Sequence, residues 1–402
     1  MSADLAKLTD ASTPSSPTIE GEVLRRYAGA ADESEASLCC AVDGYDQSLL
    51  EKLPQEIIEK DYGCGDPSRW VHEGEIVVDL GSGSGKICYM LSQKVGQDGR
   101  VIGVDFNDAM LELSRKYQEE MAQRIGYANV RFVKARIQDM GLDLERAETW
   151  LRSYPVISIE RLAAFEAECD RIRKEQPGVA DDSADVVVSN CVLNLVKPED
   201  KRQLFAELHR VLRPGGRAVV SDIVCDEHPT DAILADPKLW SGCISGAFRE
   251  DKFLEAFERA GFYGIEIVTR SHDPWQVVEG IEFRSVTVRA FKGKEGPCLE
   301  RNQAVVYRGP FKNVLDDDGH RYRRGQRIAV CNKTFKLLTN PAGPYAGQFY
   351  AIEPNTEVPP GQAVRFDCKR SVLRDPRETK GLDYRETRLI EGGSCCGDGS
   401  CC

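Results

Sequence analysis

The 402-residue chain is short of basic residues, of histidine and of long apolar runs. It has 53 Lys and Arg against 65 Asp and Glu, and this net charge of −12 argues against nucleic acid as the main ligand. No apolar run approaches the roughly 18 residues of a membrane-spanning helix. The first residues lack the basic and apolar stretches of a secretory signal. We therefore expect a soluble, cytoplasmic protein with no membrane partner.

Cysteine, by contrast, is plentiful: the chain has 15, of which four lie in the final CCGDGSCC. This is well below the roughly 8–10% of residues that marks a small disulfide scaffold. Without an export signal, these cysteines are better interpreted as thiols with a chemical role.

Composition and periodicity divide the chain into five predicted segments. They are a disordered leader (1–20), an N-terminal helical segment that contains Cys39, Cys40 and Cys64 (21–74), an α/β domain with a helical insertion at 141–183 (75–294), a small β-rich domain (295–390) and a flexible Cys-rich tail (391–402).

Seven Val- and Ile-rich runs lie between residues 75 and 292, and helical segments separate the first five. This alternation predicts an α/β, Rossmann-like fold with a mostly parallel, seven-stranded sheet covered by helices on both faces. The runs are EIVVDL, VIGVDF, VRFVKA, ADVVVSN, RAVVSDI, YGIEIVT and FRSVTVRAF. Four more runs predict short strands in the β-rich domain: QAVVYRG, QRIAVCN, FYAIEP and QAVRFDC.

A glycine-rich loop follows the first predicted strand, in VVDLGSGSGK (77–86). Glycines allow a ligand to approach the backbone, and the helix that follows offers unpaired N–H groups. Asp105 ends the next strand, where a carboxylate can accept both hydroxyls of a ribose. A structural turn would also explain the loop, but the strand before it and the acid after it favour a nucleoside ligand.

The loop resembles the first motif of class I S-adenosylmethionine (SAM) methyltransferases. Three further segments are placed like other motifs of that class, although the usual Gly-Asp pair after the third strand is absent: ARIQD (135–139), the fourth-strand segment 185–194 and LRPGGRAVVSD. The resemblance implies a SAM-binding domain. The implied cofactor residues are Asp79, Gly81, Ser82, Gly83, Gly85, Asp105, Phe106, Asn107, Ile137, Gln138 and Asn190.

Three cysteines lie in Gly-, Ser- or Asn-flanked loops at one predicted end of the sheet: Cys64, Cys191 and Cys243. Each alone could be a small buried hydrophobe. Together they suggest capture of a thiophilic centre. Only five histidines exist, and no C-x-x-C accompanies these thiols, which argues against structural zinc. A trivalent metalloid, which takes three thiolates in a pyramid, fits better.

Four segments, in their order along the chain, resemble the arsenite SAM methyltransferases: YGCGDP, VVDLGSGSG, SNCVLNLV and LWSGCISGA. The resemblance implies that Cys64, Cys191 and Cys243 bind arsenic as the substrate, with Cys39 or Cys40 as a fourth thiol. It also implies arsenite and methylarsenite as substrates and a thiol reductant, thioredoxin or glutathione. We expect a monomer.

Two alternatives remain open at this stage. The chain could methylate another soft acceptor, such as selenium, antimony or an organic thiol, or it could bind metalloid without catalysis. The other cysteines have weaker interpretations. Packing is favoured for Cys88, Cys169 and Cys225, a structural role for Cys298, Cys331 and Cys368, and metalloid delivery or a redox-labile end for Cys395, Cys396, Cys401 and Cys402.

Overall fold

A computed structural model of the chain describes residues 19–35, 38, 45–369 and 372–381. Most of the predicted leader, both Cys39 and Cys40, and the whole predicted tail lie outside the described residues. Ile19 and Glu20 begin a helix. The chain divides into two compact units, Met1–Gly293 and Lys294–Cys402.

The large unit is built on a central sheet. Its strands are β1 (Ile76–Leu80), β2 (Arg100–Asp105), β3 (Val130–Lys134), β4 (Ala184–Asn190), β5 (Leu212–Cys225), β6 (Phe248–Arg249), β7 (Tyr263–Arg270), β8 (Gln276–Val278) and β9 (Ile281–Phe291). The continuous path is β3-β2-β1-β4-β5-β9-β7, with β6 beside β5 and β8 beside β9. Strands β1 to β5 run parallel, β9 runs antiparallel to β5, and β7 runs antiparallel to β9.

The seven predicted runs correspond to β1–β5, β7 and β9, which confirms the mostly parallel α/β fold. The predicted count of seven was too low, because the sheet also contains β6 and β8. These two strands have two and three residues, too few to produce a recognisable alternation.

Helices cover both faces of this sheet. They are α1 (Ile19–Asp32), α2 (Gln47–Leu50), α3 (Gln55–Glu59), α4 (Lys86–Val95), α5 (Asp108–Lys116), α6 (Gln118–Ile125), α7 (Leu144–Ser153), α8 (Ile159–Glu175), α9 (Pro198–Val211), α10 (Asp231–Ala235), α11 (Pro237–Ser241) and α12 (Glu250–Arg259). None of the helices in these ranges has the length and apolar character of a membrane span.

Neighbouring residues of β1 enter two different cores because successive side chains of a strand point to opposite faces. Val77 packs in a cluster with Leu91 of α4, and Val78 in a cluster with Leu208 of α9. Burying a side chain of this size stabilises the fold by about 1.5–3 kcal/mol. Because both faces are covered, the ligand site falls at the carboxyl ends of the strands.

The C-terminal unit is β-rich, as predicted. Strands β13, β10 and β14 form one antiparallel sheet, and β11 pairs with β12. Its elements are β10 (Ala304–Tyr307), β11 (Asn313–Leu315), β12 (Arg321–Arg323), β13 (Arg327–Ala329), α13 (Asn332–Thr339), β14 (Phe349–Ile352) and α14 (Pro376–Lys380).

The run QAVRFDC (362–368) is not a strand, and this prediction was wrong. It contributes one isolated bridge, between Arg365 and Leu299. Val364 is 69% exposed, so the run has no buried face to hold it in a sheet.

Candidate active site

The glycine-rich loop between β1 and α4 needs a backbone that only glycine adopts easily. Gly81, Gly83 and Gly85 have φ values of 63°, 49° and 86°. A Cβ on Gly81 would lie 2.5 Å from the side chain of Val192. Gly85 is the N-cap of α4, whose first N–H groups therefore face the carboxyl end of the sheet.

Asp105 at the end of β2 joins this loop to the next one. Its Oδ2 accepts a hydrogen bond from Gly83 N at 2.9 Å, and its Oδ1 accepts one from Asn107 N at 2.9 Å. Burial raises the pKa of Asp105, while these N–H donors oppose that rise. Burial also raises the pKa of Asp79 to about 7, against a hydrogen bond from the Cys88 thiol. Two buried carboxyl groups thus flank the loop.

A pocket opens above these groups. Ten of the eleven predicted cofactor residues line it: Asp79, Gly81, Ser82, Gly83, Asp105, Phe106, Asn107, Ile137, Gln138 and Asn190. Gly85 does not. A Cβ at this position would meet Ser114, Phe132 and Tyr89 instead, so Gly85 shapes the start of the helix. The left-handed glycines, the apolar lining and the buried acids fit a nucleoside cofactor such as SAM.

The structure brings the three predicted thiols into one buried cluster. Cys64, Cys191 and Cys243 are 5%, 5% and 4% exposed and share this cluster with Ile223 and Phe283. Cys191 also lines the pocket. The cluster therefore adjoins the place where a cofactor would bind.

Cys191 and Cys243 are held in unusual backbone conformations. Their φ values are 65° and 63°, which cost a non-glycine residue about 1–2 kcal/mol each. The Cys243 thiol donates to the carbonyl of Cys191 at 3.4 Å. Strain of this kind persists only where the surrounding structure imposes it, and it is frequent at functional sites.

The three thiols are not among the groups of described residues whose potential ligand atoms all lie within 4.8 Å of one another. Cys243 is turned towards backbone, as its hydrogen bond to Cys191 O shows. Binding one atom between all three sulfurs therefore requires the loops to move closer.

The Cys64 loop is fastened to the sheet by Asn190. The side-chain oxygen of Asn190 accepts hydrogen bonds from Cys64 N at 2.8 Å and Gly65 N at 2.9 Å, and its nitrogen donates to Gly65 O at 2.9 Å. A Cβ on Gly63 would overlap the Asn190 side chain. The glycines that flank Cys64 thus permit this close packing.

A buried ion pair secures the same loop from the other side. Lys86, the first residue of α4, binds Asp61 at 2.9 Å and lies 3.7 Å from the centroid of the Tyr45 ring. Neither contact could be predicted from sequence spacing, because both join segments about 25 residues or more apart.

Helix α1 covers the pocket, which the sequence did not indicate. Tyr27 lines the pocket, and its hydroxyl lies 4.0 Å from Cys243 Sγ. Burial, with the nearby Cys243 and Cys191 thiols, raises the pKa of Tyr27 well above its usual value. Arg26 ties α1 to α11 through Ser241 Oγ at 2.9 Å. Tyr27 thus faces both the pocket and the thiols as a neutral phenol.

Family comparisons agree with this geometry. A methyltransferase-domain family matches residues 71–174 and 160–261, and a domain family of unknown function matches 294–384. With the fold and the pocket described above, the chain is a SAM-dependent methyltransferase.

Curated relatives specify the family. An arsenite methyltransferase of Aquipseudomonas alcaligenes is 31% identical over 79% of this chain and 85% of its own length. The Homo sapiens arsenite methyltransferase is 27% identical over 96% of both chains. A solved arsenic(III) SAM methyltransferase from Chlamydomonas reinhardtii is 27% identical over 80% of this chain and 98% of its own, with a TM-score of 0.49. The chain belongs to the arsenite methyltransferase family.

Proposed function

We propose that this protein transfers methyl groups from SAM to trivalent arsenic held by Cys64, Cys191 and Cys243. The supporting observation is that Cys191 belongs both to the buried thiol cluster and to the lining of the cofactor pocket. Membership of the arsenite methyltransferase family supports arsenite as the substrate.

The chemistry needs no general base. Arsenous acid exchanges three hydroxyl groups for three cysteine sulfurs and releases three waters. Bound in the pocket, SAM supplies an electrophilic methyl group on a positively charged sulfur. With SAM bound there, the arsenic lone pair would form the As–C bond as the S–C bond breaks and S-adenosylhomocysteine leaves, and no proton would have to leave arsenic.

The protein's contribution is therefore mainly positional. Asn190 and Lys86 hold the Cys64 loop, and Asp105 holds the glycine-rich loop. Well-oriented reactants can save up to roughly 7–11 kcal/mol of barrier. The buried cluster also keeps water away from the reacting atoms.

Each round leaves arsenic formally pentavalent, so we propose a thiol reductant, thioredoxin or glutathione, as co-substrate. We also propose that Cys39 or Cys40 supplies a fourth thiol, which is dispensable once arsenic carries a methyl group. The need for reduced thiols favours a reducing compartment such as the cytoplasm. We propose that the monomer is sufficient for activity.

Arsenite incubated with the protein, SAM and glutathione should yield methylarsenicals, measured over time by chromatography coupled to mass spectrometry. We expect Cys191→Ser and Cys243→Ser each to lower the rate at least about 100-fold, because one sulfur ligand is lost. Cys225→Ser is the matched control: Cys225 packs in the same cluster, but its thiol donates to Phe248 O at 3.3 Å.

Three outcomes would reject the proposal in different ways. Formation of methylated selenium or antimony but no methylarsenical would identify another acceptor. Arsenite binding without SAM consumption would indicate a binding protein. Equal losses in the Cys225→Ser control would mean that the cysteine effects are structural.

A further inference from the structure

A second group of three thiols lies in the C-terminal unit, outside the proposed active site. The side chains of Cys298, Cys331 and Cys368 have sulfur atoms that all lie within 4.8 Å of one another. All three are reduced. They are 33 and 37 residues apart along the chain, so the fold, and not local sequence, brings them together.

Backbone hydrogen bonds fix each of the three segments. Leu299, next to Cys298, exchanges hydrogen bonds with Asn332, next to Cys331: Asn332 N donates to Leu299 O at 2.9 Å, and Leu299 N donates to Asn332 Oδ1 at 3.0 Å. Phe366 N donates to Cys298 O at 2.9 Å, which places the segment that carries Cys368. The three thiols are therefore preorganised.

His320 holds the third thiol segment. Its Nε2–H donates to Cys368 O at 2.6 Å, and its Nδ1 lies 2.8 Å from Asp316 Oδ2. Asp316 also accepts from Tyr322 Oη at 2.9 Å. With both ring nitrogens engaged, His320 supports the Cys368 backbone and does not point a lone pair at the sulfurs.

Cys331 is 1% exposed and caps α13. Its sulfur accepts a hydrogen bond from Thr334 N at 3.4 Å and lies 3.2 Å from Thr334 Oγ1. Burial opposes ionisation, but the hydrogen bonds from Thr334, Cys298 and Cys368 lower the pKa of Cys331. Burial raises the pKa of Cys368 instead, so the three sulfurs are grouped by their positions and not by a shared acidity.

A small cavity borders the cluster, lined by Cys331 and Cys368 with Ile328, Phe366 and Tyr322 among its walls. Bonds of about 2.3 Å to one central ion would place the sulfurs less than about 4 Å apart, so only a small contraction is needed. The cavity is too small for the cofactor but large enough for a single ion.

Coordination number distinguishes the possible ions. Among the described residues, this group contains three potential ligands and no fourth. Structural zinc is almost always four-coordinate, whereas trivalent arsenic takes three thiolates and keeps a lone pair in the fourth direction. A group of three thiols therefore matches trivalent arsenic.

We propose that Cys298, Cys331 and Cys368 form a second binding site for trivalent arsenic, which retains the metalloid without methylating it. Binding exchanges three hydroxyl groups of arsenous acid for three sulfurs and releases three waters, with no change of oxidation state. Every residue that lines the cofactor pocket belongs to the large unit, whereas all three of these cysteines belong to the C-terminal unit, and the exchange of ligands itself consumes no cofactor.

The test uses the full chain and arsenite as the probe. In a Cys64→Ser, Cys191→Ser, Cys243→Ser background, arsenic bound after desalting is counted by mass spectrometry, and the As–S coordination number is measured by X-ray absorption. Adding Cys298→Ser or Cys368→Ser should remove one equivalent of arsenic bound by three sulfurs. Cys169→Ser, which changes a buried cysteine of α8, is the control and should remove none.

Cys298 and Cys368 are preferred for substitution because they are only partly buried, whereas Cys331 caps a helix. Far-UV circular dichroism and the melting temperature without arsenite check that each variant folds. Single Cys298→Ser and Cys368→Ser variants of the otherwise unaltered chain should still methylate arsenite.

An unchanged arsenic count would overturn the proposal. So would zinc that copurifies at one equivalent and disappears in Cys368→Ser, because the site would then hold zinc. The proposed function fails separately, if the unaltered chain makes no methylarsenical. Loss of the arsenic equivalent in that case would still support this second site.

Discussion

The side chain of Asn190 makes hydrogen bonds to both sides of the Cys64 loop: it accepts from two backbone N–H groups and donates to Gly65 O. It also donates to Tyr45 Oη at 3.3 Å. From the sequence, Asn190 was predicted only as a cofactor residue. Its amide is already engaged by the thiol loop, so Asn190 is best understood as a positioning residue for Cys64.

Asn190→Ala should therefore affect arsenic more than the cofactor. We expect kcat/KM for arsenite to fall roughly 10- to 100-fold, because unsatisfied buried N–H groups cost about 1–3 kcal/mol. The SAM Kd, measured by calorimetry, should change less than about threefold. Asn129→Ala is the control, because Asn129 bonds Ser92 and Gly96 at the opposite end of the sheet.

If Asn190→Ala weakened SAM and arsenite by the same factor, Asn190 would be a cofactor contact and the positioning role would be wrong. An Asn190→Asp variant sharpens the test. It keeps an acceptor for the two N–H groups and removes the donor to Gly65 O, so it should recover part of the arsenite activity.

The residue types in the sequence predicted the chemistry of the site better than they predicted its geometry. Cys64, Cys191 and Cys243 stood out because all three lie in Gly-, Ser- or Asn-flanked loops at one predicted end of the sheet, and the fold does bring them into one cluster. Tyr27 gave no signal, because its position follows from the docking of α1 over the pocket. The left-handed φ of Cys191 and Cys243 could not be predicted either, since non-glycine residues rarely adopt it.

At the level of whole elements, the glycine-rich loop joins strand, helix and pocket. Gly81→Ala would place a Cβ 2.5 Å from Val192 in a backbone with φ of 63°. The conformation costs about 1–2 kcal/mol and the overlap about 1–3 kcal/mol more. We expect a loss of roughly 2–5 kcal/mol in unfolding free energy, measured by urea denaturation, and a weaker SAM affinity.

Gly74→Ala separates the two causes, because Gly74 has φ of 79° with nothing within 4 Å of a Cβ. Gly74→Ala should lose only the part of the unfolding free energy that the left-handed conformation costs, and it should keep its SAM affinity. Equal destabilisation by both substitutions would show that Val192 adjusts and that the overlap costs nothing.

The carboxylate of Glu56 joins helix α3 to the C-terminal end of α5. Glu56 accepts hydrogen bonds from Lys116 at 2.6 Å, Lys60 at 3.0 Å and Tyr117. These three donors lower the pKa of Glu56 to about 2. The stabilisation is therefore complete above the ordinary value near 4.5 and is lost as the pH falls from about 4.5 towards 2.

Glu56→Gln should remove this acid dependence. The Glu56 side chain is partly exposed, so we expect a difference of at most about 1 kcal/mol between wild type and variant at pH 7, which vanishes near pH 2. Urea denaturation at a series of pH values measures it. A difference that stayed constant from pH 7 to pH 2 would contradict the assigned role of Glu56.

The prediction of strands succeeded where the apolar pattern in the sequence was long. The seven Val- and Ile-rich runs are strands because both sheet faces are buried, as Val77 and Val78 show by entering different cores. The pattern failed for β6 and β8, which are too short to carry one. It also failed for 362–368, where β-prone residues such as Val364 lie exposed.

The whole molecule consists of two units, each with its own hydrophobic core. Val305, Tyr322 and Phe335 belong to a cluster within the C-terminal unit, while the clusters around Val77 and Val78 lie within the large unit. Composition indicated this division, because glycine, proline and asparagine become frequent after residue 295. The cluster of Cys298, Cys331 and Cys368 could not be predicted, because its three cysteines come from separate segments of the chain.

Separate cores predict separate responses to SAM in thermal unfolding. At a hundredfold excess over its Kd, a compound that binds only the folded form adds about 2.7 kcal/mol of stability. For a unit the size of Met1–Gly293, this corresponds to a rise of roughly 4–5 °C in melting temperature. In differential scanning calorimetry, we expect SAM to raise one of two transitions, that of the large unit, and to leave the other in place.

The same calorimetric experiment can be carried out with arsenite in place of SAM. It should raise the transition of the C-terminal unit in the Cys64→Ser, Cys191→Ser, Cys243→Ser background, and adding Cys368→Ser should abolish that rise. A single transition that moves as a whole with SAM would show that the two units unfold together, and the argument from separate cores would then be wrong.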